Sequence, residues 1–173
     1  MWNSKLFESI SKRRSIRNYL DTQIDDNEIH EILQMGLYAP SGKNRQPWRF
    51  IIVKNSDVIK KIAKLTVYSR FVRKVPVLVL LFVKKDINYP IEKDMISIGA
   101  CMENILLAAA DKDYGTCAIG ELFNCQDNIT KYIGVNCKNY LLVCGIAIGK
   151  TKSIQCKKEK ISLNDFLLSG TIL

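Results

Sequence analysis

Histidine is nearly absent, with His30 alone among 173 residues, and the chain has only four prolines and nine glycines. Each shortage removes a class of protein. A zinc site needs clustered ligands, but the six cysteines, at 101, 117, 125, 137, 144 and 156, include no C-x-x-C pair and have one histidine to join them. A Ser/His/Asp or Cys/His catalytic set would have to use His30, which sits between Ile29 and Glu31 on the polar side of a helix and reads as a surface residue. Long hydrophobic runs are missing too. VPVLVLLFV (75–83) and YLLVCGIAIG (140–149) fall short of the ~20 residues of a membrane helix and read as buried strands. The opening MWNSKLFESISKRRS is amphipathic and charged, unlike a signal peptide, so a cytoplasmic protein with free thiols is expected. Without repeats, low-complexity tracts or a Pro/Gly/Ser linker, residues 1–173 are expected to form one domain. No G-x-G-x-x-G supports a dinucleotide fold. GIAIGKT (145–151) follows a strand as a phosphate loop would, but has three residues between its glycines where that loop needs four.

What is present is a packable composition, 47% hydrophobic and 25% charged, with 26 basic against 17 acidic residues and a net charge of +9. The charge suits an anionic partner, although 19 lysines can equally coat a solvated surface. Nucleic-acid binding is the alternative from another class, but only Arg13, Arg14 and Arg17 cluster tightly and no aromatics interleave with them.

The spacing of Leu6, Phe7 and Ile10 predicts a helix over 3–12, and a second is expected from near Asp25, with Glu28 as in a capping box, stopping before Pro40. WRFIIV (48–53) reads as a strand and SDVIKKIAKL (56–65) as a helix opened by Ser56 or Asp57. Both the 48–53 and 75–83 strands lack polar alternation, implying cover on both faces. The 93–112 stretch predicts a long helix with almost no polar face. Such a helix needs partners all round, so a second subunit is expected on the side the sheet leaves bare, with Gly99, Ala100 and Cys101 permitting close approach. YGTCAIGELF (114–123) reads as a glycine-bounded turn, NITKYIGV (128–135) as a short helix, YLLVCGIAIG as a strand and ISLNDFLL (161–168) as a short amphipathic helix. The mixture without strict alternation fits an α+β class.

Three constellations carry chemistry. Arg13-x-Ser15-x-Arg17 suits a phosphate, since guanidinium forks give bidentate contacts and a hydroxyl adds a neutral donor; the plainer alternative is a helix end capped by Ser15. Pro40-Ser41-Gly42-Lys43-Asn44-Arg45-Gln46-Pro47 is dense in amides and hydroxyls that could bond the edge of a planar heterocycle, or is a simple helix-to-strand connection. Between Gly115 and Glu121, glycines let backbone N–H groups approach a ligand closely.

At these residues the sequence resembles the nitroreductase family of flavin mononucleotide (FMN) oxidoreductases, over nearly its whole length: RRSIRNY, APSGKNRQPWRFIIV and GACMENILLAAADKDYGTCAIGELF match the family's motifs in order. The resemblance implies a central mixed, mostly antiparallel sheet flanked by helices, in an interlocked homodimer with FMN at the subunit interface and NADH or NADPH as electron donor. It implies that Arg13 and Ser15 bind the FMN phosphate, that Arg14 is among the cofactor-binding residues, and that Arg17 reaches the ribityl and pyrimidine side of the ring and stabilises the charge of the reduced flavin. Pro40, Ser41, Gly42, Asn44 and Gln46 would come from the other subunit. Ala118, Ile119, Gly120 and Glu121 would lie over the other ring edge, and Lys157 and Lys158 would complete the phosphate site. A contact from Arg70, Arg73 or Lys74 is implied without a choice among them. The implied activity is two-electron, ping-pong reduction of nitroaromatics, quinones or related small acceptors in an open pocket, with no nucleic-acid or membrane partner. An FMN-binding protein without turnover is the remaining alternative.

Overall fold

The structure is a computed structural model in which residues 4–152, 162 and 166 are described. Its centre is the most apolar run of the sequence. Val77–Lys84 (β2) pairs with Trp48–Val53 (β1) on one side and Tyr140–Lys150 (β4) on the other, and Tyr114–Ile119 (β3) completes the order β1-β2-β4-β3. All three pairings are antiparallel. The single parallel element among the described residues is an isolated bridge between Ser15 and Thr116.

Alternation decides which core each residue joins. Val77, Val79, Leu81 and Val83 point to the face covered by Asp26–Gly36 (α2) and Ile91–Asp111 (α5). Leu78, Leu80 and Phe82 point to the opposite face, where they pack with residues of Ser56–Ala63 (α3), Ser69–Val72 (α4) and Gln126–Ile133 (α6). With a core on each face the strand has no need of polar alternation, as expected for 75–83. β1 is an edge strand, yet it too packs on both faces: Trp48, Phe50 and Ile52 join the core under α2 and α5, and Ile51 and Val53 join the opposite one, with Arg49 exposed and Phe50 to Ile52 half-buried.

The corrections are local. The 114–119 stretch is a strand rather than a turn, followed by a 3-10 turn over Gly120–Phe123. The α3 cap is Asn55, whose side chain accepts from the N–H groups of Asp57 and Val58, rather than Ser56 or Asp57. Asp25 caps α2 as expected, but the Glu28 carboxylate accepts from the Tyr114 hydroxyl at 2.6 Å. Burial and that hydrogen bond to Glu28 raise the Tyr114 pKa to about 12. α5 runs over 91–111 rather than 93–112. The helix expected over 161–168 lies outside the described residues apart from 162 and 166.

Lys5–Lys12 (α1) buries none of its residues. Leu6, Phe7 and Ile10 on it stand 46–63% exposed, and nearby Met35 and Tyr38 are exposed as well. No helix among the described residues is long and apolar enough to cross a membrane.

Candidate functional site

After α1 the chain turns into an extended segment that lies against the end of β3. The Ile16 N–H donates to the Thr116 carbonyl at 2.7 Å, and the Leu20 N–H reaches the Lys150 carbonyl at 2.8 Å. Two glycines make room for this approach. A Cβ on Gly115 would meet Ile16 Cγ2 at 2.9 Å, and one on Gly149 would meet the Tyr19 ring at 2.6 Å. The glycines of GIAIGKT thus serve packing, Gly149 against Tyr19 and Gly145 against Leu122.

This register gathers the first constellation. Ser15 sits opposite Thr116, so it is a bridge residue and not a helix cap. Ala118 and Ile119 follow on the same strand, and Gly120 and Glu121 turn away at its end, with Glu121 accepting from the Asn124 side chain at 2.8 Å. Nothing lies within 4 Å of where a Gly120 Cβ would stand, so its backbone is open. Arg13 Nε lies 3.2 Å from a Glu103 carboxylate oxygen on α5, yet is buried without a hydrogen bond of acceptable geometry. Arg14 folds back to donate to the carbonyls of Ser11 and Arg13, both at 2.7 Å, on the end of α1. Arg17 is exposed. The sequence reading missed Cys117, whose thiol faces Ser15, Arg13 and Arg17; burial pushes its pKa up and the two arginines and Ser15 oppose the rise.

The second constellation is a tight loop between α2 and β1. Ser41 Oγ accepts from the Gln46 N–H at 3.0 Å, and the Gln46 side chain donates to Asn44 Oδ1 at 3.0 Å. A 3-10 turn over Gly42–Asn44 is built with Lys43 and Asn44 at φ of 54° and 53°, and Gln46 follows at 49°. Pro40, Gly42, Asn44 and Gln46 are exposed and Ser41 is half-buried.

The two constellations do not meet within one chain. Arg13 pairs with Glu103 and Arg45 of the loop pairs with Asp94, both on α5. At 1.5 Å and 100° per residue, the step from 94 to 103 is about 14 Å along the axis and about 180° around it. Opposite sides of α5 therefore carry the two sets. The cleft beside Arg13 and Arg14 is lined by α1 and the end of α5, and the cleft beside Arg45 and Gln46 by α2 and β1. Arg70, Arg73 and Lys74 stand exposed on and just after α4. Lys157 and Lys158 lie outside the described residues.

The family model for nitroreductases matches residues 10–68 and 65–150, which takes in both constellations. The chain belongs to the nitroreductase family. A candidate NADH dehydrogenase/NAD(P)H nitroreductase of Archaeoglobus fulgidus is 34% identical over 112 residues, 64% of this chain and 64% of that protein. A protein of the same description from Methanothermobacter thermautotrophicus is 31% identical over 104 residues, 60% of this chain and 54% of its own length. The match thus spans under two thirds of these relatives. Among solved structures, a candidate nitroreductase of Desulfovibrio desulfuricans in complex with FMN superposes at a TM-score of 0.89 with 28% identity, covering 99% of this chain and 100% of that one. The NADPH:FMN oxidoreductase of Vibrio harveyi, complexed with NAD+, shares the nitroreductase fold at a TM-score of 0.87 and 20% identity, covering 98% and 79%.

Proposed function

We propose that the protein is an FMN-dependent NAD(P)H oxidoreductase that works as a homodimer and reduces nitroaromatic, quinone or related small acceptors by two-electron, ping-pong turnover. Residues 1–173 act as one nitroreductase-like unit in this reading. The observation that carries it is the parallel bridge between Ser15 and Thr116, which brings the Arg13–Arg17 segment, suited to an anion, against β3, the strand that ends at the exposed Gly120.

The residues fit the cofactor. A buried Arg13 Nε without a good acceptor, a hydroxyl at Ser15 and an exposed guanidinium at Arg17 form a donor set that an anionic phosphate would complete. Arg13, Ser15 and an Arg14 swung off the end of α1 would hold the phosphate, joined by Lys157 and Lys158. Arg17 would place positive charge where the reduced cofactor gathers negative charge. Pro40, Ser41, Gly42, Asn44 and Gln46 would bond the flat ring from the partner subunit, and the backbone of residues 118–121 would close its other edge. FMN, when bound, supplies the hydride chemistry, leaving orientation and charge tuning to the protein.

The dimer is supported from two sides. The constellations lie on opposite sides of α5, so one complete site needs two copies of the chain. Ile96 on α5 is 75% exposed and Tyr38 also 75%, and with Leu6 and Ile10 they form apolar surface that a second copy would cover.

The test is the visible spectrum of the purified protein under nitrogen, before and after adding NADH or NADPH. Flavin bands that bleach and recover when a nitroaromatic or quinone is added are expected. A colourless protein that takes up no added FMN would contradict the proposal, and bound flavin that no nicotinamide bleaches would leave a binding protein without turnover.

A further inference from the structure

Arg45 is the one side chain of the Ser41–Gln46 loop that binds far from the loop itself. Its Nε and Nη2 lie 3.3 Å from the two carboxylate oxygens of Asp94 in the first turn of α5, and its Nη1 lies 2.5 Å from Asp86. The guanidinium also covers the Tyr89 ring, 4.3 Å from its centroid. Asp94 is 1% exposed, and Asp86 is held from its other oxygen by the Asn88 N–H at 2.9 Å. The Tyr89 hydroxyl in turn closes on Gly42, where any Cβ would collide with it.

The loop needs such an anchor. Lys43, Asn44 and Gln46 all hold left-handed backbone, and Lys and Gln side chains disfavour that region. Strained residues of this kind persist only where their surroundings over-determine them. The hydrogen bonds among Ser41, Asn44 and Gln46 shape the loop internally, whereas Arg45 ties it to α5 and to the 86–89 turn. Lysine could not replace it, since one ammonium cannot offer Asp94 two parallel donors while a third reaches Asp86 and a flat face covers the ring.

We propose that Arg45 is a positioning residue: pinned by Asp94, Asp86 and Tyr89, it locks the strained loop into the one backbone that aims Asn44 and Gln46 at the flavin. This rests on the reading of the loop as a flavin contact, and its consequence is preorganisation. If the unpinned loop spends only a tenth of its time in the competent form, apparent FMN affinity falls about tenfold.

The test uses the full chain, with FMN as the probe. Arg45→Lys and Arg45→Met are compared with wild type for amide hydrogen exchange at Asn44, Arg45 and Gln46 without flavin, then for FMN affinity and reduction potential. Because Arg45→Met strands the buried Asp94 carboxylate, Arg45→Met with Asp94→Leu removes the clamp without leaving that charge unpaired. Faster exchange confined to the loop, unchanged protection in β2, FMN binding weaker by about tenfold or more and a displaced potential, in Arg45→Lys as well, are expected. Loop amides as protected as in wild type overturn the clamp, and so do loosened amides with unchanged FMN affinity and potential. Wild-type protein that binds no FMN would instead contradict the functional reading, a failure visible before any variant is made.

Discussion

The extended segment around Arg13–Arg17 and the loop around Pro40–Gln46 carry the two halves of the candidate site, and they are held in place by different forces. The first is fixed by main chain: the Ile16 N–H donates to Thr116, and Gly115 lets Ile16 sit close against β3. The second is fixed by side chains, through one guanidinium shared between two carboxylates and a ring. Backbone register resists salt, pH and most substitutions. A charge clamp answers to all three. The difference suits the proposed roles, since the phosphate end must hold the cofactor throughout turnover, while the ring end tunes its chemistry.

The largest expected effect separates the halves outright. Gly99 on α5 has open space where a Cβ would stand, so Gly99→Glu should fold normally in the single chain. Placed at the proposed interface, its charge should yield a monomer without flavin, and a variant that still sediments as a dimer would show that this part of α5 is not the interface. Next, Arg13→Ala with Ser15→Ala removes charge-assisted hydrogen bonds worth about 1.5–3 kcal/mol each, so FMN affinity should drop about a hundredfold or more. The melting temperature should move little, because Ser15 is exposed and removing Arg13, whose Nε has no hydrogen bond of good geometry, leaves behind only the half-exposed Glu103 carboxylate. Equal FMN affinity in a fluorescence titration would remove the phosphate assignment.

Gly115→Val tests how the first half is held. Its side chain would displace Ile16, and overpacking of this kind costs about 1–3 kcal/mol, read as a lower urea midpoint with weakened FMN uptake. The smallest effect belongs to acid. The hydrogen bond from Arg45 holds the Asp86 carboxyl below its usual range, with the Asn88 N–H adding to it. A carboxyl depressed in the folded state supports it at pH values above about 4 and loses that support as pH falls through the depressed value. The Arg45 side-chain NMR signals should therefore shift on acidification, whereas the Ile16 amide should not. Asp86→Asn should abolish that shift, and an Ile16 signal moving in step with Arg45 would erase the distinction between the halves.

How much was legible in the sequence follows the same division. β2 and β4 read correctly because unbroken apolar runs leave little choice but a strand with both faces covered. β1 reads correctly as a strand packed on both faces, but nothing local reveals that it lies at a sheet edge. β3 reads as a turn because glycines stand at both 115 and 120, although Tyr114, Thr116 and Ile119 favour a strand; Gly115 is there to admit Ile16, a contact invisible until the chain folds. Arg13 and Ser15 stand out through the family resemblance, since their chemistry alone fits a solvated helix end as well, and the register of Ser15 on β3 is not legible in the sequence. The clamp was still less accessible. Asp86 and Asp94 lie 41 and 49 residues from Arg45, and an arginine in a polar loop looks like a solvated one until its partners arrive.

The central claim is that one complete site takes its two halves from different chains, and mixing protomers tests it most directly. One variant would carry Arg13→Ala and Ser15→Ala, the other Arg45→Met with Asn44→Ala, each expected to be flavin-free alone. In a mixed dimer one of the two sites would be wholly wild type, because both damaged halves fall in the other. Random pairing should therefore restore about a quarter of the wild-type flavin per chain, all of it sedimenting as dimer. If the mixture stays as colourless as its parents although mixed dimers form, the two halves belong to the same chain and the account is wrong.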